Sequence, residues 1–154
     1  MLDLADLSRA RCVVEFGAGT GACTREILQR LGSDGQVLAF EVDPTFAHML
    51  DERFDDRRLR IVNDSAENVE GYLHGTKADV IVSALPFTSL PTTLRQNVLG
   101  VVGTVLAPQG VMLVLQYSTI LQRELERSFE SVSRRVSLLN LPPAFLFACR
   151  SPVT

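Results

Sequence analysis

Two rhythms of hydrophobic and polar residues alternate along this chain. Cys12–Phe16 is an apolar run of the kind buried on both faces of a parallel sheet, and further strands are predicted at Gln36–Phe40, Leu59–Asn63, Ala78–Ser83 and Val111–Tyr117. Between them the apolar residues recur at helical spacing. Ile27, Leu28 and Leu31 share a face in the segment from Gly21 to Leu31, and Phe46, Met49, Leu50 and Phe54 form a stripe after Asp43-Pro44. Asp43 is placed as an N-cap with proline at the first helical position. Leu94, Val98, Val102 and Val105 predict a helix over Pro91–Leu106, weakened by Gly100 and Gly103, and Pro108-Gln109-Gly110 predicts the turn after it. Leu121, Leu125 and Phe129 point inward from a helix over Thr119–Phe129, and Val132–Leu139 and Phe145–Cys149 complete the chain as two strands joined through Pro142-Pro143. Alternating strands and helices followed by a closing hairpin predict an α/β fold: a seven-stranded, mostly parallel sheet with helices on both faces and an antiparallel last strand.

The composition fits one such domain spanning 1–154. Apolar residues make up 46% of the 154 and charged residues 21%, enough for a single good core. A net charge of −3 argues against a surface built mainly for nucleic acid. Cys12, Cys23 and Cys149 are odd in number and never paired as C-x-x-C, so they read as buried free thiols in a reducing compartment, and no metal site is expected. The acidic start, Met1-Leu2-Asp3-Leu4-Ala5-Asp6, is unlike a secretory signal, and no apolar run has the length of a membrane span. The expectation is a cytoplasmic protein with at most a peripheral membrane contact.

The chemistry concentrates where the first strand ends. Gly17-Ala18-Gly19-Thr20-Gly21 has glycine at every second position, which predicts a loop whose backbone closely approaches a ligand. A dinucleotide fingerprint spaces its glycines differently and meets a pyrophosphate. Glu15, two residues before the first glycine, would repel a pyrophosphate but suits a ligand carrying an ammonium and a sulfonium. Glu41, at the end of the second strand and 20 residues after Gly21, is positioned to accept hydrogen bonds from both hydroxyls of a ribose. After the third strand, Asn63-Asp64-Ser65-Ala66-Glu67 can cap the short helix that follows or receive a base.

These segments resemble the Rossmann-like S-adenosylmethionine-dependent methyltransferases. The resemblance implies that S-adenosyl-L-methionine is held by Glu15, Gly17, Gly19, Gly21, Glu41, Asp64 and Ser65, with Asp64 receiving the exocyclic amine of the adenine. Ser83-Ala84-Leu85-Pro86-Phe87 stands where amino-nitrogen methyltransferases often carry Asn-Pro-Pro-Tyr or Phe, and the exchange of Asn for Ser83 counts against methylation of adenine. With Leu115-Gln116-Tyr117-Ser118 and Asn140-Leu141-Pro142-Pro143-Ala144, the chain is similar to the bacterial phosphatidylethanolamine N-methyltransferases, relatives of the ribosomal RNA adenine dimethyltransferases.

The resemblance implies transfer of a methyl group to the amino nitrogen of phosphatidylethanolamine or a related phospholipid. Ser83, the Leu85 carbonyl and Tyr117 would serve catalysis, and Pro86, Phe87 and Asn140 would contact substrate, with Phe87 or Tyr117 facing the growing cation. Alternatives are an RNA adenine methyltransferase, which would extrude a base into the same pocket, and a catalytically inactive interaction module; a homodimer is left open. Arg123, Arg127, Arg134 and Arg135 could meet anionic headgroups, although Glu124, Glu126 and Glu130 are interspersed. Roughly ten residues precede the first strand, so little or no N-terminal lid is expected.

Overall fold

A computed structural model of the chain describes residues 1–140 and 142–153. Leu141, within the Asn-Leu-Pro-Pro-Ala element, lies outside the described residues. Seven strands form one sheet in the order β3-β2-β1-β4-β5-β7-β6, with β1 at Cys12–Phe16, β2 at Gln36–Phe40, β3 at Leu59–Val62, β4 at Ala78–Ser83, β5 at Leu106–Gln116, β6 at Phe129–Ser137 and β7 at Ala144–Pro152. The first five are parallel, while β7 runs antiparallel to both β5 and β6. The order reverses direction between β1 and β4. A crevice opens there beyond the carboxyl ends of the strands, the usual ligand position in an open α/β sheet.

Alternation along the strands sorts the core into two layers. Val14, Phe16, Phe40, Ile81, Met112, Val114 and Phe147 pack beneath α3 (Val69–Leu73), α4 (Thr92–Val105) and α5 (Gln122–Ser128). Val13, Val37, Val80, Val82 and Leu113 face α1 (Ala22–Arg30), together with Leu2, Leu7 and Ala10 from the start of the chain. A smaller cluster of Ala18, Ala39 and Leu50 seats α2 (Pro44–Arg53) on the same side. Asp43 caps α2 as expected, its Oδ1 accepting from the amides of Thr45 and Phe46 at 2.8 and 3.3 Å.

Three details depart from the hydrophobic pattern. Phe46 is exposed and Ala47 takes the inward place beside Leu50, because the buried face of α2 is rotated by one residue. β5 begins at Leu106, paired with Ala78, and the register then shifts before Val111 meets Val80. The turn expected at Pro108-Gln109-Gly110 is therefore a bulge within the strand, where the missing amide of Pro108 breaks the ladder. Phe129 opens β6 rather than closing α5.

The thiols of Cys12 and Cys149 are buried and that of Cys23 partly so, and none forms a disulfide. Burial pushes all three upward, to about 11 for Cys12 and about 12 for Cys23 and Cys149. No helix is long and apolar enough to cross a membrane among the described residues, nor do His, Cys, Asp or Glu cluster there as a metal site.

Candidate active site

The glycine loop joins β1 to α1 directly above the switch point. Gly17, Gly19 and Gly21 all take positive φ, at 77°, 56° and 84°, which explains why glycine recurs at alternate positions. Each is constrained differently. A Cβ on Gly17 would lie 2.9 Å from Leu85 Cδ2, and one on Gly21 would lie 2.7 Å from both Leu50 Cδ2 and Phe54 Cε2. A Cβ on Gly19 would meet nothing within 4 Å, so this stretch of backbone stands open.

Two acids brace the loop. Glu41, buried at the end of β2, accepts from the Gly19 amide at 2.8 Å through Oε2 and from the Asp43 amide at 2.9 Å through Oε1. Glu15 lies beneath the loop on the α1 side, where the Thr24 hydroxyl donates to it at 2.5 Å. Burial raises the Glu15 carboxyl to about 6, opposed by hydrogen bonds from Thr24 and Cys23 and reinforced by the neighbouring charge of Glu41. Thr24 was not legible as a partner, although it sits one turn into a helix that begins right after the glycines.

This elevation has a stability consequence. The folded Glu15 pKa, about 6, exceeds its ordinary value of 4.5, so the folded state binds the extra proton between those limits. Stability from this group is full below pH 4.5, is lost as pH rises through 6, and leaves an unfavourable buried charge above that, worth about 2 kcal/mol at 1.36 kcal/mol per pKa unit. Glu15→Gln is expected to raise the melting temperature of the unliganded protein at pH 8 and to flatten its pH dependence between 4.5 and 6, read by calorimetric melting across that range.

A cavity of about 330 Å³ opens beside the loop, lined by Gly17, Phe40, Glu41, Val42, Asp64, Ala66, Ala84, Leu85, Pro86 and Leu90. It has two carboxylates on one rim and an apolar floor and wall, and it brings together five of the residues singled out from sequence: Gly17, Glu41, Asp64, Leu85 and Pro86. Asp64 Oδ2 accepts from the Tyr72 hydroxyl at 2.7 Å, and Oδ1 accepts from the Ser65 amide and from Asn68 Nδ2. These donors, Tyr72 foremost, hold its carboxyl below the ordinary range. Capping and alignment of Asp64 therefore coexist with its place on the cavity rim. Ser65 turns its hydroxyl toward Glu67 at 3.5 Å.

A second cavity, of about 290 Å³, adjoins the first at the segment after β4 and is lined by Ala84, Leu85, Pro86, Thr88, Ser89, Leu115, Gln116, Tyr117 and Ser118. Ala84, Leu85 and Pro86 thus form a partition shared by both cavities. Gln116, buried at the end of β5, fixes this partition by donating from Nε2 to the Leu85 carbonyl at 2.7 Å. Ser118 Oγ is buried at this wall without a hydrogen-bond partner among the described residues. In sequence Gln116 lies in the segment Leu115-Gln116-Tyr117-Ser118, and its place at a strand's carboxyl end is the signal that points to it.

Phe87, Ser83 and Asn140 stand outside the linings of both cavities. Phe87 is fully buried among the core residues and lines neither cavity; the 3-10 turn Phe87–Ser89 turns its ring into the core. Ser83 is also fully buried, and its hydroxyl accepts from the Leu85 amide at 3.3 Å, shaping the partition rather than meeting a ligand. Asn140 accepts from the Ser137 hydroxyl at 2.9 Å and closes the β6–β7 turn, outside the lining of either cavity. Tyr117 is exposed on the rim of the second cavity, as expected for a strand-end residue. A larger cavity of about 620 Å³, lined by Asp3, Arg9, Asp79 and Arg150 among others, lies at the amino ends of the strands, the pole where a parallel sheet offers neither glycine loop nor switch point.

The first cavity suits a cationic nucleoside compound. Open glycine backbone at Gly19 admits close contact, the apolar wall of Phe40, Val42 and Leu90 suits a base, and the carboxylates disfavour a pyrophosphate.

Comparison with known proteins agrees. A family model described as "Methyltransferase domain" matches residues 13–110. The ornithine lipid N-methyltransferase of Singulisphaera acidiphila is 38% identical over 146 residues, covering 92% of this chain and 76% of that protein. Ribosomal RNA small subunit methyltransferase A of Pediococcus pentosaceus is 32% identical over 94 residues, covering 56% of this chain and 31% of that protein. Among solved structures, human methyltransferase-like protein 13 in complex with SAH superposes with a TM-score of 0.73 at 19% identity, covering 95% of this chain and 74% of that one. An S-adenosylmethionine-dependent O-methyltransferase from Thermotoga maritima gives 0.73 at 17% identity, covering 99% and 63%. With a methyltransferase family model matched over 13–110 and a methyltransferase 38% identical over nearly the whole chain, carried on this fold, the chain belongs to the Rossmann-like S-adenosylmethionine-dependent methyltransferases.

Proposed function

We propose that this methyltransferase acts on the amino nitrogen of a lipid headgroup, of the ornithine lipid or phosphatidylethanolamine kind. The observation that carries the reading is the partition at Ala84-Leu85-Pro86, which separates a carboxylate-rimmed cofactor cavity from an acceptor cavity ending in Gln116, Tyr117 and Ser118. The ornithine lipid N-methyltransferase of Singulisphaera acidiphila, matched over nearly the whole chain, supports the same substrate class.

When bound, S-adenosylmethionine supplies an electrophilic methyl group on a sulfonium centre. Gly17 and Gly19 give its amino-acid end an approach along open backbone, with Glu15 and Glu41 as the negative ground beneath. Glu41 and Asp64 receive the ribose and the adenine amine through lone pairs left over from their structural hydrogen bonds, and Gly21 and Ser65 shape the two loop ends. The Leu85 carbonyl accepts from Gln116 Nε2 at 2.7 Å and from the Phe87 amide at 2.8 Å, which uses both of its lone pairs, so it shapes the partition and the Ser118 hydroxyl is the acceptor offered to an N–H of the amine. The Tyr117 ring is available to the cation that forms on nitrogen. Removal of the ammonium proton is favoured by desolvation against Leu85, Pro86 and Leu115, so alignment carries most of the catalysis.

Labelled S-adenosylmethionine, incubated separately with ornithine lipid, phosphatidylethanolamine, RNA and small amines, tests the assignment. Label is expected in a lipid fraction, and label appearing only in RNA overturns it. Gln116→Leu removes one of the two donors that fix the Leu85 carbonyl, the Phe87 amide being the other, and kcat is expected to fall about 10-fold with cofactor affinity unchanged, as for loss of a buried hydrogen bond to a positioning group.

A further inference from the structure

The register of the antiparallel strands places the β6–β7 turn at the same pole as the site. Gln116, the last residue of β5, pairs with Phe145, and Ser137 pairs with Ala144, so the described residues between Ser137 and Ala144 project beyond the carboxyl ends of the parallel strands. The described part of this turn carries large apolar side chains into solvent: Leu138 is 79% exposed and Leu139 fully so. The loop after β5 adds Ile120 at 77% and Tyr117 at 57%, and Tyr117 also lines the acceptor cavity. Such a cluster at one rim is costly in water and marks a contact surface. The Ser137–Asn140 hydrogen bond closes the turn, which fixes the two leucines between it as a preformed projection.

Basic side chains stand closest to the turn. No acidic residue follows Glu130, whereas Arg134 and Arg135 lie within one short stretch of β6 below the tip, and exposed Arg123 opens α5 beside them. Of the nearby acids, Glu124 faces Arg95 at 2.9 Å, Glu126 accepts from Gln122, and Glu130 stands at the opposite end of β6. Arg134 rests over the Phe145 ring, 5.8 Å from its centre, so its guanidinium stays near the sheet edge. Apolar tips flanked by arginines match an anionic bilayer, with leucines among the acyl chains and guanidinium groups at the phosphates.

We propose that the β6–β7 turn and the loop after β5 form a membrane-docking surface, in which Leu138, Leu139 and Ile120 enter an anionic bilayer and hold the acceptor cavity against its headgroups. This rests on the lipid-amine reading above, to which it adds the surface that brings the enzyme to its substrate.

Co-sedimentation with vesicles of phosphatidylcholine and phosphatidylglycerol tests it, because neither lipid carries a methylatable amine and binding is then independent of the reaction. The wild type is expected to sediment, and Leu138→Asp/Leu139→Asp to lose at least tenfold in partitioning. Arg134→Gln/Arg135→Gln is expected to lose the preference for phosphatidylglycerol over pure phosphatidylcholine. Unchanged calorimetric affinity for S-adenosylmethionine in both variants certifies their folds. A wild type that stays in the supernatant, or a leucine variant that sediments as the wild type does, overturns the proposal. So does a dimer in sedimentation velocity that the leucine substitutions dissociate without any vesicle binding. Vesicle binding that depends on the leucines, found together with no methylation of detergent-dispersed ornithine lipid or phosphatidylethanolamine, upholds the docking surface and removes the substrate assignment instead.

Discussion

Replacing Glu41 with alanine is expected to weaken S-adenosylmethionine binding about 100-fold or more while leaving the fold intact, as followed by calorimetric titration and circular dichroism. The carboxylate accepts from two backbone amides, Gly19 at 2.8 Å and Asp43 at 2.9 Å, and so ties the open part of the glycine loop to the start of α2. Hydrogen bonds to a charged acceptor contribute about 1.5–3 kcal/mol each, and truncation leaves both amides of a partly buried loop unpaired. In the proposed cofactor site the variant would in addition lose the acceptor assigned to the ribose. Glu41→Gln keeps one carbonyl acceptor but sets an NH2 group against an amide N–H, so an intermediate loss is expected. Equal affinity in the wild type and the alanine variant would take Glu41 out of the cofactor site altogether.

The second large effect concerns packing. Gly21→Val places a β-branched residue at φ 84° and sets its Cβ 2.7 Å from Leu50 and Phe54. The backbone strain costs about 1–3 kcal/mol and the overpacking a similar amount, so a loss of about 4 kcal/mol is expected, lowering the melting temperature by roughly 10 °C in a chain of this size. Gly19→Ala is the informative partner. Its Cβ meets no protein atom within 4 Å, so only the strain of φ 56° remains, and the melting temperature is expected to fall by no more than about 5 °C. The same methyl group would project from the open loop, and cofactor affinity is expected to fall by far more than stability does. If both substitutions affected melting and binding in equal proportion, the division of labour between the two glycines would be wrong.

Much of this architecture could be read from residue order because its causes are local or periodic. The apolar runs at Cys12–Phe16 and Ala78–Ser83 are buried on both faces, so neither helix period nor alternation competes for them. Asp43-Pro44 is a start signal contained in two residues. What escaped depends on direction rather than pattern. Phe87 follows a proline into a 3-10 turn, where no period tells which way a ring points, and the core claimed it instead of the cavity. Ser83 and Asn140 look like ligand contacts in sequence, yet each hydrogen-bonds within its own turn. The partners Thr24 for Glu15 and Tyr72 for Asp64 come from helices whose packing sets the pairings, and Gln116 reaches the Leu85 carbonyl across a residue separation of 31. Loop side chains that serve one another look, in sequence, like side chains waiting for a ligand.

The three native thiols have a practical corollary for labelling chemistry. Alkylation proceeds through the thiolate, and a thiol held at about 11 or above exposes that form in roughly one molecule per several thousand at pH 7.5. Maleimide reagents should therefore bypass Cys12, Cys23 and Cys149 in the folded protein and react with a single introduced surface cysteine, so that a fluorophore carried by Leu139→Cys reports on one position without first stripping the natural cysteines from the core.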